Sequence, residues 1–391
     1  MKIFIIAGED SGDKLGSAII DGLNNILDTP PIYVGIGGNG MKSRGLKSIF
    51  PMSDLSVMGF IEIFLQYKNL KERINQTIVS ILDEKPDILL TIDAPEFCFR
   101  VAKKIKSLNS NIPIVHYVAP SVWAWRSKRA KKITKFIDHL MALFPFEPNY
   151  FHDVGLSCEF VGHPIISENH VEDKIITEFK KEYCLKDQPI ILCLPGSRKS
   201  EINRLMPVFG ETLKKFSRAL PNAKFILVST PDVYEHSKQY LEFMPPDIIF
   251  LSPEKIGMDK YLEFKKASFK LSNLALAASG TVSLELAANN VPMVIGYDMS
   301  SFSKLIIGLM LRTDTVTLVN LICGNRNIPE CIGSNFNQEN LFLEMVRVYS
   351  NNRCQITDFS TTMNLLGNTE TPPNVRAANS LIKYFCSFKK A

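Results

Sequence analysis

Ten short apolar runs rich in Ile, Val, Leu and Phe recur along the 391 residues in two sets of five, and they restrict the fold more than any other feature. The first set is KIFIIAG (from Lys2), PIYVGIGG (from Pro31), DILLTIDAP (from Asp87), IPIVHYVAP (from Ile112) and HLMALFPF (from His139). The second is PIILCLPGSR (from Pro189), AKFILVST (from Ala223), DIIFLSP (from Asp247), LALAASG (from Leu274) and VPMVIGY (from Val291). Runs that are apolar throughout, without alternation, suit strands covered on both faces, the signature of parallel sheets. Longer amphipathic stretches separate them, so the order is strand, loop, helix, repeated in two sets. This predicts two doubly wound, Rossmann-like α/β domains facing an interdomain cleft. The boundary is expected after FVGHP, where the chain turns polar and acidic, giving domains 1–165 and 166–375. The remaining 376–391 read as an amphipathic helix expected to pack back on the first domain.

Composition excludes several classes. A content of 46% hydrophobic and 22% charged residues is that of an ordinary globular chain with a sizeable core. The net charge of +5 argues for no particular partner. Eight cysteines lie singly, without paired spacing, which predicts reduced thiols and a cytoplasmic setting. The opening IFIIAG is too short for a signal sequence and no run approaches a membrane span, so a soluble or peripheral protein is expected.

In doubly wound sheets ligands bind beyond the carboxyl ends of the strands, so the loops there carry the functional information. In LPGSRKSEI, Gly196 permits backbone conformations closed to other residues. A helix beginning just after it aims amides at whatever lies above the strand. With Ser197 and the planar fork of Arg198, the segment reads as a phosphate cradle or, equally, as a capped helix start with a solvated Arg. A second cradle, AASGTVSLELA, places Gly280 and Thr281 at a strand-to-helix junction. Glu285 follows one turn into that helix, spaced to accept from a ribose diol. Together the two cradles suit a nucleoside diphosphate. In the first half, AGEDSGDKLG carries Glu9, Ser11 and Asp13, acids that would repel a pyrophosphate and suit a hydroxyl-rich sugar better. Capping by Asp10 or Ser11 and the helix dipole at Asp13 are the structural alternatives. In TIDAPEF, Asp93 ends a strand where it could take a proton from a hydroxyl, or cap the next helix. Trp123 and Trp125 precede a basic stretch in VWAWRSKRAKKITK. That composition admits an anionic membrane face or a phosphorylated ligand, with nucleic acid last, because a duplex-binding surface needs basic residues spread more widely. No Asp-x-Asp pair is present to hold a metal between carboxylate and phosphate, and no metal site or cofactor is expected.

These motifs, with GIGGNGM, VMGFIEIF, LFPFEP, FVGHP, PMVIGY and VNLI, resemble in order those of the lipid-A-disaccharide synthases, from residue 7 to about residue 322. The resemblance implies a GT-B fold and an inverting, metal-independent transfer from UDP-2,3-diacylglucosamine to 2,3-diacylglucosamine 1-phosphate. The products would be the β-1,6 disaccharide 1-phosphate and UDP. It assigns 1–165 to the acceptor and 166–375 to UDP-sugar. It implies Asp93 as the base that accepts the proton of the 6-hydroxyl, with Glu9 second. Ser197, Arg198, Gly280, Thr281 and Glu285 would bind UDP, and Ser11, Asp13 and Asn320 would contact donor or acceptor sugar. The chain departs from the family where Cys331, Ile332 and Gly333 replace Leu-Leu-Gln, so the role of that Gln has no counterpart.

Both substrates would be acylated, and VMGFIEIFLQYKNL fits that need. Phe60, Ile61, Phe64 and Leu65 form an apolar cluster flanked by Lys68, Lys71 and Arg73, as in an interfacial helix on anionic lipid, or else a buried core helix. The expected setting is cytoplasmic and peripheral to an inner membrane, with a homodimer as the candidate assembly. Two other readings stay open. A different UDP-sugar enzyme on the same fold, such as a 2-epimerase or a peptidoglycan glucosaminyltransferase, would need no acyl-binding helix. A nucleotide-sensing protein would leave Glu9 and Asp93 without work.

Overall fold

The computed structural model describes every residue except 56–59, 109–110, 124–127, 169–170, 299–313 and 391, and the side chains of 60–68, 128 and 168 are also outside the description. The chain forms two compact units, Met1–Pro164 with Leu366–Ala391, and Ile165–Leu365.

The first unit holds a seven-stranded sheet, ordered β3-β2-β1-β4-β5-β6-β7. Its strands are β1 (Lys2–Ala7), β2 (Ile32–Ile36), β3 (Lys47–Ser48), β4 (Ile88–Ile92), β5 (Ile114–Tyr117), β6 (His139–Ala142) and β7 (Ser157–Phe160). The second holds six strands ordered β10-β9-β8-β11-β12-β13. These are β8 (Ile190–Leu194), β9 (Lys224–Val228), β10 (Ile249–Leu251), β11 (Leu274–Ala277), β12 (Met293–Tyr297) and β13 (Glu330–Ile332). Every pairing in both sheets is parallel. All five residues of β4 and of β8 are buried, which is why their sequences lack alternation: helices cover both faces. The ten apolar runs correspond to ten of the thirteen strands. The other three, β3, β7 and β13, lie at sheet edges, where short polar segments such as KS, SCEF and ECI pair on one side only and leave no apolar run to read.

The strand order reverses between β1 and β4 in the first sheet and between β8 and β11 in the second. At such a point the two following loops diverge to opposite sides of the sheet and leave a crevice above the strand ends. The registers Ala7↔Ile92 and Leu194↔Ala277 place the loops after these strands side by side.

The helix Pro373–Lys390 belongs to the first unit, with Ala377, Ala378 and Leu381 in its core. His139 on β6 bridges Ser157 and Ser380 at 2.8 and 3.0 Å and stacks on Tyr384, which fixes the helix laterally.

Two buried carboxylates hold loops of the first unit. Asp13, expected to contact a sugar, is 9% exposed and accepts from the amides of Gly38 (2.8 Å), Gly40 (2.8 Å) and Met41 (3.1 Å). Both oxygens are engaged by the turn after β2, and three neighbouring amides leave the carboxylate limited capacity for a ligand. Glu147, 2% exposed, accepts from the amides of Leu143 (3.2 Å) and Phe144 (3.0 Å) and from the indole of Trp123 (3.1 Å). Burial nevertheless outweighs these bonds and pushes its carboxyl from 4.5 up to about 7.

Replacing Asp13 with Ala should leave three amides without acceptors and cost at least about 3 kcal/mol, read as a lowered denaturant midpoint, with Asn costing less. The Glu147 carboxyl binds its proton more tightly when folded than when unfolded. Its contribution to stability is therefore complete below pH 4.5 and lost as pH rises through about 7. Melts of the parent across that window should contain a component of about 3 kcal/mol that the Glu147→Gln protein lacks. Identical slopes in the two proteins would contradict the assignment.

Candidate functional site

In the first unit the site begins with backbone strain. Asp93 and Ala94, directly after β4, have φ of 49° and 42°, the left-handed region that two consecutive non-glycine residues seldom share. The Asp93 amide donates to Tyr117 at 3.0 Å, and the Ala94 carbonyl accepts from Phe97 and Cys98 at 3.1 and 3.0 Å, so β5 and the helix Pro95–Leu108 hold the strained pair. Gly8 makes room for it. A Cβ there would lie 2.8 Å from the Ala94 Cβ. Glu9 follows, just ahead of the helix Asp10–Ile26, and the Asp93 and Glu9 carboxylates feel each other. Burial raises both above the ordinary carboxylate range, and Glu9 carries a further push from Asp93 and then Asp10. Both carboxyls therefore hold a proton to higher pH than an exposed carboxylate would. Ser11 is exposed in the first turn of the same helix.

In the second unit a pocket of about 390 Å³ opens above β8 and β11 and brings together Ser197, Arg198, Gly280, Thr281 and Glu285. Gly196 turns the chain out of β8 with φ of 109°, and a Cβ there would collide with the Glu201 carboxylate at 2.4 Å. Glu201, in the first turn of the helix Lys199–Ala219, accepts from the Ser197 amide at 2.9 Å and the Arg198 amide at 3.3 Å. These two amides, expected to face a ligand, thus serve the helix cap. The Arg198 guanidinium meets Glu201 at 3.1 Å but its side chain stays 75% exposed. The other cradle differs. Among the described residues the amides of Gly280, Thr281 and Val282 have no acceptor, and they sit where the helix Val282–Ala288 begins. Glu285 pairs with Lys265 at 2.8 Å on the pocket wall. The pocket therefore presents three unengaged amides and an extended guanidinium to an anion, with a carboxylate and an ammonium beside them for a polar ligand.

Asn320 has a framework part where a sugar contact was expected. It is fully buried; its amide donates to the Ile328 carbonyl (2.9 Å) and Glu330 (3.2 Å), and its oxygen accepts from the Ile328 amide (3.0 Å). Phe60, Ile61, Phe64 and Leu65 have side chains outside the described residues. Sequence reasoning missed Tyr261, Lys265, Thr230 and Ser279 in the pocket wall. The Thr230 hydroxyl is buried there without a partner among the described residues, and Ser279 donates to the Val316 carbonyl at 2.7 Å. Val316 is itself held by Glu330, which also accepts from the Thr315 hydroxyl and the Thr317 amide. Only the strand-end position of Thr230 and Ser279 signalled them in advance. Among the described residues no group of His, Cys, Asp and Glu has metal-binding geometry, and no helix is long and apolar enough to cross a membrane.

Comparison with known proteins joins this geometry to a family. Residues 3–377 match the family described as Lipid-A-disaccharide synthetase. The chain is 42% identical over 383 residues to the lipid-A-disaccharide synthase of Ruegeria pomeroyi, covering 98% of this chain and 95% of that one. It is 38% identical over 386 residues to that of Rhodospirillum centenum, covering 98% and 94%. With the Rickettsia typhi enzyme it shares 39% over 339 residues, 85% of each chain. Among solved structures it is similar in fold to a UDP-GlcNAc 2-epimerase from Neisseria meningitidis bound to UDP-GlcNAc, with TM-score 0.65, 13% identity and coverage of 99% and 100%. A UDP-GlcNAc 2-epimerase from Methanocaldococcus jannaschii in complex with UDP-GlcNAc and UDP gives 0.59, 16%, 99% and 100%. Those likenesses establish the two-sheet GT-B architecture. Identity near 40% over almost the whole chain, on that architecture, carries the activity as well: this chain belongs to the lipid-A-disaccharide synthase family, glycosyltransferases of lipid A biosynthesis.

Proposed function

We propose that the chain transfers 2,3-diacylglucosamine from UDP to the 6-hydroxyl of 2,3-diacylglucosamine 1-phosphate, with inversion and without a metal. The supporting observation is the pocket over β8 and β11, where unengaged amides of Gly280, Thr281 and Val282 share one wall with an exposed Arg198. The second unit then binds UDP-sugar and the first binds the acceptor. The diphosphate lies on those amides and on Arg198, and Glu285 accepts from the ribose diol. In the displacement the acceptor O6 bonds to the sugar C1 as the C1–O bond to UDP breaks. Asp93 takes the hydroxyl proton, and the negative charge gathering on UDP is met by Arg198 and the amide cluster. Glu9, next to Asp93 and likewise raised by burial, is the second candidate for the base. Ser11 remains available to a sugar hydroxyl, whereas Asp13 and Asn320 are fully engaged by the framework. Acylated substrates place the protein at the anionic face of an inner membrane, on the cytoplasmic side, with Phe60, Ile61, Phe64 and Leu65 as contacts and a homodimer as the assembly. Nucleic acid has no place in this scheme.

The direct test is mass-spectrometric detection of disaccharide 1-phosphate and UDP after mixing the two acylated monosaccharides, with UDP-N-acetylglucosamine as the inert control. Arg198→Ala should weaken UDP binding and slow transfer by roughly ten- to a few hundredfold. Its exposed ion pair implies an unchanged melting temperature. Arg198→Lys should recover only part of the loss, since a point charge lacks the bidentate fork. Asp93→Asn should keep near-normal UDP affinity while kcat falls by about 10²–10⁴, and parental kcat in that variant would remove Asp93 from the base role. The acid limb of the parental kcat/KM profile should lie above the usual carboxylate range, because the free pair holds its proton to higher pH.

A further inference from the structure

A second cavity, of about 680 Å³, lies on the first unit between the helix Pro95–Leu108 and the stretch from Arg129 to Phe136. Phe99, Lys103, Lys106 and Ser107 line one side at i, i+4, i+7 and i+8, one face of the helix, while Val101, Ala102 and Ile105 face the core. Arg129, Lys132, Ile133, Lys135 and Phe136 line the other, so among the described residues five cations border the groove and no carboxylate does. Two of the five are compensated: Lys106 pairs with Asp138 at 2.7 Å, and Arg129 meets Glu96 at 3.5 Å while lying over the Phe99 ring. Lys103, Lys132 and Lys135 are exposed and have no ion pair among the described residues. The groove lies well away from Asp93, since Lys103 and Lys106 sit about 12–16 Å along the helix that starts at Pro95.

We infer that this groove seats the phosphates of anionic lipid headgroups and so docks the first unit on a membrane, a site additional to the expected contacts at Phe60–Leu65; it rests on the acylated-substrate reading above. Charge complementarity selects the occupant. Three uncompensated ammonium groups around one concavity need several phosphates at once, as a lipid surface offers, and the lysine stems lining the groove with the half-buried Phe136 suit the glycerol region. A single-stranded nucleic acid would need a run of exposed aromatic faces for its bases, but of the two aromatics lining the groove Phe99 is 8% exposed under Arg129 and Phe136 is half-buried against it.

The test is co-sedimentation of the full chain with phosphatidylcholine vesicles, with and without an equal share of phosphatidylglycerol, at low and high salt. The parent should bind only the anionic vesicles and release them at high salt. The Lys103→Glu, Lys132→Glu, Lys135→Glu triple variant should bind on the order of 100-fold more weakly, while transfer on detergent-dispersed substrates stays parental. The corresponding triple Arg variant should bind as the parent does. Parental vesicle binding by the triple Glu protein would overturn the groove and leave the peripheral reading standing. A parent that sediments with neither vesicle would remove both, although disaccharide formation in detergent would still support the transferase reading. Full displacement from vesicles by millimolar inorganic phosphate would overturn the lipid assignment in favour of a free-phosphate site.

Discussion

The register of four parallel strands controls the functional geometry. Ala7 lies beside Ile92 and Leu194 beside Ala277, each pair at the place where strand order reverses. In a parallel sheet both chains of such a pair leave the sheet at the same end, so Glu9 must emerge beside Asp93, and Gly196–Arg198 beside Ser279–Thr281. A shift by one residue would turn the side chains of a fully buried strand through the sheet, which the dense packing on both faces of β4 and β8 forbids. The covering helices therefore fix the chemistry above the strand ends as firmly as any contact within the site.

Strain and burial cooperate at Asp93. Holding two non-glycine residues at positive φ costs of order 1–3 kcal/mol each, and the arrangement persists because bonds to Tyr117, Phe97 and Cys98 over-determine it. In return the carboxyl is held at the strand end while largely removed from water, which raises its proton affinity. A relaxed backbone would let the side chain turn to solvent and return it to an ordinary weak base. The absence of a Cβ at residue 8 belongs to the same device, since a methyl there would meet Ala94.

The central strands were legible because two-sided burial writes itself as uninterrupted apolar sequence. The edge strands β3, β7 and β13 were not, because KS, SCEF and ECI are short and carry polar residues, whereas the edge strand β10 is apolar and was read. The pocket-forming segments at 196–198 and 280–285 were legible from glycine and helix-start signals after a strand. Asp13 and Asn320 have framework bonds the sequence does not show: an acid or amide beside a loop looks the same in sequence whether it faces a ligand or gathers amides from a turn distant in the chain. Asp13 closes on residues 38–41 and Asn320 on 328–330, pairings that local sequence does not encode. Lys265 was invisible for the converse reason, since it lies in a segment with no unusual pattern, and Thr230 was marked only by its place at a strand end.

A single device recurs through both units and accounts for where a ligand can bind. Asp13 gathers the amides after β2, Glu147 those after β6, Glu201 those after β8, and Glu330 the Val316 and Thr317 amides. Each of these four loops thus carries its own carboxylate, which satisfies buried donors and stiffens the turn. Such a loop has little left to offer an anion, because its amides already face a negative charge. The turn after β11 is built differently: Ser279 is tied through its hydroxyl to Val316, while the Gly280, Thr281 and Val282 amides face no internal carboxylate among the described residues. The nearest acid, Glu285, lies one helical turn on and is balanced by Lys265. An anion arriving there completes the pattern that a glutamate or aspartate completes elsewhere, and the positive end of the helix favours it further. A diphosphate bound there as proposed would take the place that the chain's own carboxylates occupy at those four turns.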